Sequence, residues 1–417
     1  MYKIAATQKP IATTTSISYF PNRNNARKER IIMRIRLVYR QSQLFYILTI
    51  ITVLLVTLCS VSFASDNVLS DTAVVAVKLD DGPHVFLETD STAIVFYYCN
   101  EAIESRTFVY TDTLYFSGFC NDTGFQYVVP PFNSEFLPEV YIGASKIFAI
   151  SDIHGEYEHM ADILRKGGVI DSDLHWSWGD GHLVVVGDIF DRGDKVTECL
   201  WFIYRLEQEA RVLGGRVHTL LGNHEMMVLR GDDRYVNEKY LNGIARNSRI
   251  RHQDLYSPDM ALGRWLRSKQ VAIIINDILF VHAGISPIIV DSGLTLNDLN
   301  CNVHTGIDMR SSRLAFSEPV KFLLGSLGPL WYRGYHYEME NRYPKATNTD
   351  IDRILTHFSA KAIVVGHTEV DSLCGLYDNR IFAIDVPVDK LGSLQALLWE
   401  NDHFYCVNGD GKLVPLE

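Results

Sequence analysis

Residues 183–194 read LVVVGDIFDRGD, and this stretch decides the fold. Four consecutive apolar residues rich in valine are typical of a strand that is buried on both faces of a sheet. A glycine and two aspartates follow at once, so polar side chains stand where the strand ends. The stretch therefore predicts a buried strand that delivers Asp188 and Asp191 to one edge of a sheet.

The same arrangement, an apolar run followed by a short polar motif, occurs at four other places in the chain. The motifs are Ser151-Asp152-Ile153-His154-Gly155 after IFAI, Gly222-Asn223-His224-Glu225 after VHTLL, His282-Ala283-Gly284 after ILFV, and Gly366-His367 after AIVV. Ligands of open α/β sheets gather at the carboxyl ends of the strands, so we expect the five motifs to meet at one site. Their glycines allow sharp turns there.

Carboxylates, imidazoles and an amide oxygen are ligands that suit Mn, Fe or Zn. The motifs supply enough of them for two ions that share Asp188. We expect one ion to be held by Asp152, His154 and Asp188, and the other by Asp188, Asn223, His282 and His367. Two metals about 3.5–4 Å apart can acidify a shared water and clamp both oxygens of an in-line phosphoryl transfer.

Two arginines and a histidine complete the predicted chemistry. Arg192 directly follows the two aspartates, and Arg333 lies in the segment LWYRG; arginine is the natural fork for phosphate oxygens. His224, next to a predicted ligand, is a candidate proton donor, and Asp191 is a candidate to orient it. Glu225 is interpreted as a supporting residue rather than a ligand.

The chain changes character near residue 140. Residues 65–140 contain short β-branched and aromatic runs separated by turns, which predicts an accessory all-β domain. Residues 141–417 alternate strands with helices and end in closely spaced strands, which predicts an α/β domain with a mixed second sheet. Cys99 and Cys120 are the one candidate disulfide, with two separately buried thiols as the alternative.

Residues 1–64 are predicted to direct export. The run LFYILTIITVLLVTL at 44–58 follows three arginines and precedes the small-residue site Ser62-Phe63-Ala64, a pattern typical of a secretory signal peptide. An uncleaved membrane anchor is the alternative, since the run approaches the length of a bilayer span. Met33 would be a more ordinary start. We therefore expect a periplasmic or secreted protein.

Composition excludes several classes of protein. The chain is 47% hydrophobic and 21% charged, which is the balance of a globular protein. Residues 1–43 carry nine basic side chains against one acid, although the whole chain has a formal charge of −11. The remainder is thus strongly acidic, which argues against a nucleic-acid partner.

Taken together, the motifs SDIHG, GDIFDRG, GNHE, HAG and GHT resemble those of the calcineurin-like metallophosphoesterases, within the phosphoprotein phosphatase superfamily. Segments 265–268, 280–287, 328–334 and 364–368 are similar to the Shewanella-like protein phosphatases. Three features depart from the eukaryotic serine/threonine phosphatase pattern: Ser151 and Ala283 each replace a glycine, and the last histidine stands in Gly366-His367-Thr368 rather than in Arg-Ala-His. None of these changes removes a ligand.

This resemblance implies a four-layer α/β/β/α sandwich with two mixed sheets and a dinuclear site at its rim. It also implies that Asn223 joins Arg192, Arg333 and His224 in contacting phosphate, and that phosphotyrosine is preferred. Tyr332, Tyr335 and Tyr337, which flank Arg333, are candidates for an aromatic wall beside the phosphate, with loop packing as the alternative.

The sequence predicts a metal-dependent phosphomonoesterase whose partner is a phosphorylated protein or peptide. A metal-bound hydroxide is expected to attack phosphorus directly while His224 protonates the leaving oxygen. One alternative is a dinucleoside polyphosphate or nucleotide hydrolase of the same superfamily. A lesser alternative is a non-catalytic, membrane-anchored binding protein.

Overall fold

The computed structural model describes residues 79–120, 125–132, 137–246, 250–309 and 317–416. The predicted export segment, residues 1–64, lies outside these ranges and stays a prediction, as does the division into domains at residue 140. Among the helices of these described ranges, none has both the length and the apolar character that crossing a bilayer requires.

Seventeen strands are present in the described residues. They are β1 (Asp81–Leu87), β2 (Thr92–Cys99), β3 (Ala102–Val109), β4 (Leu114–Ser117), β5 (Gln126–Val129), β6 (Val140–Tyr141), β7 (Lys146–Ile150), β8 (His182–Val185), β9 (Arg216–Thr219), β10 (Ala272–Ile275), β11 (Ile278–Val281), β12 (Ala362–Val365), β13 (Cys374–Leu376), β14 (Ile381–Ala383), β15 (Ala396–Glu400), β16 (His403–Val407) and β17 (Leu413–Pro415).

Ten α-helices accompany these strands. They are α1 (Tyr157–Lys166), α2 (Val196–Val212), α3 (Asn223–Arg230), α4 (Glu238–Tyr240), α5 (Ala261–Leu266), α6 (Pro287–Asp291), α7 (Leu296–Ile307), α8 (Glu318–Leu323), α9 (Asn348–Phe358) and α10 (Val388–Leu391). Helices α7 and α9 begin with capping boxes, in which Thr295 and Thr347 exchange hydrogen bonds with the aspartate three residues on.

Two mixed six-stranded sheets form the centre of the protein, as the sequence predicts. Their strand orders are β17-β16-β15-β7-β8-β9 and β13-β14-β12-β11-β10-β6. Strands β7, β8 and β9 are parallel, and β15 pairs antiparallel with β7. The closely spaced last strands β15 to β17 pair antiparallel, but they complete the first sheet rather than the second. There they cover β7, which would otherwise be an exposed edge.

The sheets stack face to face, and helices pack on their outer faces. Along β7, Ile147 and Ala149 belong to the core between the sheets, whereas Phe148 and Ile150 belong to the core under the helices. The residues of β12 divide in the same alternating way. Period-two alternation with both faces apolar is what a strand between two covered faces requires. The α/β/β/α fold class is therefore confirmed.

The first strands form small antiparallel sheets, β1-β2-β3 and β4-β5, that pack against the larger body. The indole N–H of Trp201 donates to the carbonyl of Pro83 at 2.8 Å, and the N–H of Leu87 donates to the carbonyl of Asp259 at 2.8 Å. A disulfide joins Cys99 and Cys120 and confirms the one bridge that the sequence suggested. The N-terminal strands are thus anchored to α2 and to the segment before α5.

A buried ion pair links α2 to the segment between α5 and β10. The Nζ of Lys269 lies 2.6 Å from a carboxylate oxygen of Glu207, which also accepts the indole N–H of Trp265 at 2.8 Å. Burial opposes ionisation of Glu207, but Lys269 and the hydrogen bonds lower its pKa below the usual range. The pair therefore remains charged inside the protein.

We predict that Lys269→Met destabilises the protein by about 3 kcal/mol, because it removes the buried cation of Glu207 and leaves only the more exposed Arg211, 3.0 Å from the other carboxylate oxygen. Chemical denaturation measures the effect. The matched control is Lys321→Met, which removes an exposed partner of Glu318 and should leave the unfolding midpoint unchanged. Equal midpoints for the two variants would contradict the prediction.

Candidate active site

The five polar motifs meet at the carboxyl ends of the central strands, and Asp188 lies at their centre. Its Oδ2 lies 3.2 Å from Nε2 of His282, 3.8 Å from Nε2 of His224 and 3.9 Å from Nε2 of His154. Its Oδ1 accepts the backbone N–H of His224 at 3.0 Å. Three imidazoles therefore face one buried carboxylate from different loops.

Two groups of possible metal ligands share Asp188. The first contains His154, Asp188 and His224, and the second contains Asp188, His282 and His367; within each group the ligand atoms lie within 4.8 Å of one another. Asp152, which the sequence grouped with His154, accepts the backbone N–H of His367 at 3.0 Å. A carboxylate shared by two groups is the geometry that a bridging ligand requires.

Backbone carbonyls fix the orientation of the imidazoles. Nδ1–H of His282 donates to the carbonyl of Val186 at 2.8 Å, and Nδ1–H of His154 donates to that of Phe190 at 2.7 Å. Nε2 of each ring is thereby turned toward Asp188, and a histidine ligand whose other ring nitrogen is held in this way is the usual arrangement at metal sites.

His367 offers an independent test of whether a metal fits. Its ring is buried, and its Nε2 has no hydrogen-bond partner among the described residues. A buried polar atom without a partner is rare and needs an explanation. The amide oxygen of Asn223 lies 2.9 Å from Nε2 of His282, on the same side of the site. These donors fit a bound metal ion.

The charges of the site also favour the binding of cations. Burial raises the pKa of Asp152 to about 6, and it raises that of Asp385 to about 9, with the negative charges of Asp152 and Asp188 adding to the effect. Burial disfavours a charged His282, but Asp188 raises its pKa to about 10. Clustered buried carboxylates need compensating positive charge, which metal ions provide.

Asp385 was missed by the sequence reasoning. It is buried and stands just after β14, in the same relation to its strand as Asp152 to β7. An acid placed directly after an apolar run was the available signal, but no glycine or histidine accompanied it.

The ligand-bearing loops adopt an uncommon backbone conformation. Non-glycine residues with positive φ are unusual, and they cluster at functional sites. At this site they are Asp152 (50°), His154 (46°), Asp188 (55°), Asp191 (71°), Arg192 (62°) and His367 (64°). The surrounding structure must hold these residues in place, because the unfolded chain would not favour them.

Glu225 stabilises these loops through hydrogen bonds to their backbone. Its buried carboxylate accepts four backbone N–H groups, those of Asp188 (2.8 Å), Ile189 (2.7 Å), Phe190 (3.2 Å) and Gly222 (2.7 Å). Both oxygens are occupied by these bonds. The geometry therefore supports its interpretation as a supporting residue, since it joins the GDIF loop to the GNHE loop.

His224 and Asp191 form a close pair. Nδ1 of His224 lies 2.6 Å from Oδ2 of Asp191, which is buried. Burial opposes a charge on His224, but the hydrogen bond that its Nδ1–H donates to Asp191 and the charge of Asp188 raise its pKa above the usual value. Nε2 of His224 points toward Asp188, so a proton held there would face the site.

Both predicted arginines lie beside the ligands. The side chain of Arg192 is 53% exposed, and its Nη1 lies 3.7 Å from Glu369. Nη1 of Arg333 donates to the carbonyl of His367 at 2.6 Å and approaches the hydroxyl of Thr368 at 3.3 Å. Arg333 has no carboxylate partner within the described ranges, so its charge is available to an anion.

The predicted aromatic wall is mostly wrong. Tyr332 and Tyr335 are fully buried, and the hydroxyl of Tyr335 bonds to the backbone of Ile285. They pack the loop, which was the alternative. The ring of Trp331 instead packs edge-on against His367, with 5.8 Å between centroids.

Stacked mixed sheets and a strand-end cluster of carboxylates, imidazoles and arginines define a metal-dependent phosphoesterase. Comparison with known proteins specifies the family: residues 145–371 match the model of the calcineurin-like phosphoesterases. The chain belongs to this family and is accordingly a hydrolase.

Several relatives are similar to the chain over much of its length. "Shewanella-like protein phosphatase 1" of Plasmodium berghei is 30% identical over 58% of this chain and 66% of the relative, so the chain spans about two thirds of that protein. "Shewanella-like protein phosphatase 2" of Arabidopsis thaliana is 26% identical over 63% and 76%. The crystal structure of a cold-active protein-tyrosine phosphatase from a psychrophilic Shewanella species has a TM-score of 0.74 and 36% identity, covering 81% of this chain and 99% of that one.

We predict that Glu225→Gln lowers metal affinity by about 10–100-fold, because loops that carry ligands lose their common support. A glutamine amide presents one acceptor and would turn its N–H₂ toward backbone donors, at a cost in unfolding free energy of about 3 kcal/mol. Calorimetric titration with Mn²⁺ and chemical denaturation measure the two effects. Glu318→Gln, on an exposed helix start, is the control. Unchanged affinity in Glu225→Gln would contradict this role.

Proposed function

We propose that this protein is a metal-dependent phosphomonoesterase that acts on phosphorylated proteins and favours phosphotyrosine. The observation that carries the proposal is the position of Asp188, which faces two groups of ligands beside the His224–Asp191 pair. A shared carboxylate next to a hydrogen-bonded proton donor suits the hydrolysis of a phosphate ester.

The choice of substrate is supported by similarity. The relatives from Plasmodium and Arabidopsis are named as protein phosphatases, and the Shewanella structure is named as a protein-tyrosine phosphatase. The last of these matches over nearly its whole length at 36% identity. We therefore infer a phosphorylated protein or peptide as substrate, with phosphotyrosine preferred.

The residues that would hold two metal ions are those that the sequence selected. They are Asp152, His154 and Asp188 for one ion, and Asp188, Asn223, His282 and His367 for the other. When bound, Mn, Fe or Zn ions would supply positive charge for the phosphate oxygens and acidify a water molecule. Their identity is not specified by this donor set.

The protein's own side chains would bind the phosphate and move the proton. Arg192 and Arg333 offer guanidinium groups to the outer phosphate oxygens, and the carbonyl of His367 holds Arg333 in position. The side chain of Asn223 lies next to His282, with its amide oxygen 2.9 Å from Nε2 of that ring. His224 donates the proton on Nε2 to the leaving oxygen, while Asp191 keeps the proton on Nδ1 and orients the ring.

We predict that chelation of metals, or Asp188→Asn, lowers hydrolysis of p-nitrophenyl phosphate by at least about 10³-fold, because the shared ligand of both groups is lost. Steady-state assays measure the rate. Asp410→Asn, on an exposed turn, is the matched control and should keep full activity. Full activity after either treatment would contradict a metal-dependent mechanism.

We predict that His224→Asn slows hydrolysis of poor leaving groups by about 10²–10⁴-fold, since these need a proton in the transition state. The loss should be smallest for p-nitrophenyl phosphate, whose leaving group departs without protonation. A series of aryl and alkyl phosphates measures this dependence. A loss that is the same across the series would remove His224 from the proton-donor role.

Hydrolysis of dinucleoside polyphosphates or nucleotides is the rival within the same superfamily. Parallel assays of diadenosine tetraphosphate, ATP, a phosphotyrosine peptide and a phosphoserine peptide separate the two functions. Membership of a hydrolase family and the two clustered groups of possible metal ligands count against the non-catalytic alternative.

A further inference from the structure

One exposed aromatic ring lies against the proposed proton donor. Tyr235 is 51% exposed, yet its ring centroid is 5.4 Å from that of His224, with the rings tilted by 48°. Tyr235 lies outside the five polar motifs. The ring is therefore open to solvent on one side and next to a buried site residue on the other, so a molecule bound at the site can reach it.

The backbone holds this ring in a fixed relation to the phosphate-binding loop. The carbonyl of Tyr235 accepts the N–H of Arg192 at 2.9 Å, and the side-chain amide of Asn237 donates to the carbonyl of Arg192 at 2.8 Å. Arg192 itself has a φ of 62°, so both bonds brace a conformation that the chain disfavours. The segment that carries Tyr235 is therefore tied to the loop that presents Arg192.

The position of His224 fixes where the leaving group must lie. A general acid has to be within about 2.6–3.2 Å of the oxygen that it protonates. The first atoms beyond that oxygen therefore lie next to the His224 ring. In phosphotyrosine these atoms are a phenyl ring, whereas in phosphoserine they are a single methylene group.

We propose that Tyr235 is a specificity-determining residue that contacts the aromatic leaving group of phosphotyrosine. The inference rests on the proposed function and names the side chain that selects the substrate. Aromatic pairs are favourable at centroid separations of about 4.5–7 Å, a range that the neighbouring Tyr235 and His224 rings already occupy. Trp331 packs against His367 instead and is not next to the proton donor.

The test compares Tyr235→Leu, Tyr235→Ser and Tyr235→Phe with the wild-type protein on matched phosphotyrosine and phosphoserine peptides. We expect Leu and Ser to lower kcat/KM for the phosphotyrosine peptide by about 3–10-fold, mainly through KM, because one aromatic contact is lost. Activity on the phosphoserine peptide should change less than about twofold, and Phe should retain the wild-type preference. Tyr115→Leu, at an exposed position of β4, is the matched control.

A binding measurement separates this contact from chemistry. Phenylphosphonate and methylphosphonate should compete for the site, and Tyr235→Leu should weaken only the phenyl compound, by about 3–10-fold. Equal losses on both peptides, or equal weakening of both phosphonates, would overturn the role of Tyr235 while leaving the phosphatase proposal intact. Failure of the wild-type protein to hydrolyse either peptide would overturn the proposed function and this inference together.

Discussion

The site depends on one buried negative charge. Asp188 is 2% exposed, and its carboxylate faces the imidazoles of His154, His224 and His282 while Asp152 and Asp385 lie nearby. Several carboxylates cannot stay ionised together inside a protein without positive charge. His224 and His282, whose pKa values are raised in spite of burial, provide part of that charge, and metal ions would provide it in a form that can also act on phosphate.

The fold stabilises this unfavourable cluster through its backbone. Positive φ values at the ligand positions let short loops turn their side chains toward one point. Glu225 then ties two of the loops together with four hydrogen bonds. The site is therefore supported by strand ends, by loop carbonyls and by the buried Glu225, whose carboxylate binds the loops rather than the substrate.

Much of this arrangement could be predicted from sequence, because each motif directly follows an apolar strand and parallel strands end at the same edge. The predicted ligands and the His224–Asp191 pair follow from that rule, and the structure brings His154, Asp188, His224, His282 and His367 close together. The pattern of apolar and polar residues in the sequence could not show that Tyr332 and Tyr335 are buried or that β15 joins the first sheet, because both depend on long-range packing. Asp385 and Tyr235 likewise reach the site only through the tertiary fold.

The central claim is that Asp188 joins two metal ions. Metal analysis of the purified protein by mass spectrometry tests it most directly, with folding of each sample checked by circular dichroism. The account predicts about two ions per wild-type chain and a loss of both in folded Asp188→Asn, because the shared carboxylate belongs to each ligand group. A folded wild-type protein that takes up no metal from excess Mn²⁺ or Zn²⁺, or an Asp188→Asn variant that keeps two ions, would contradict it.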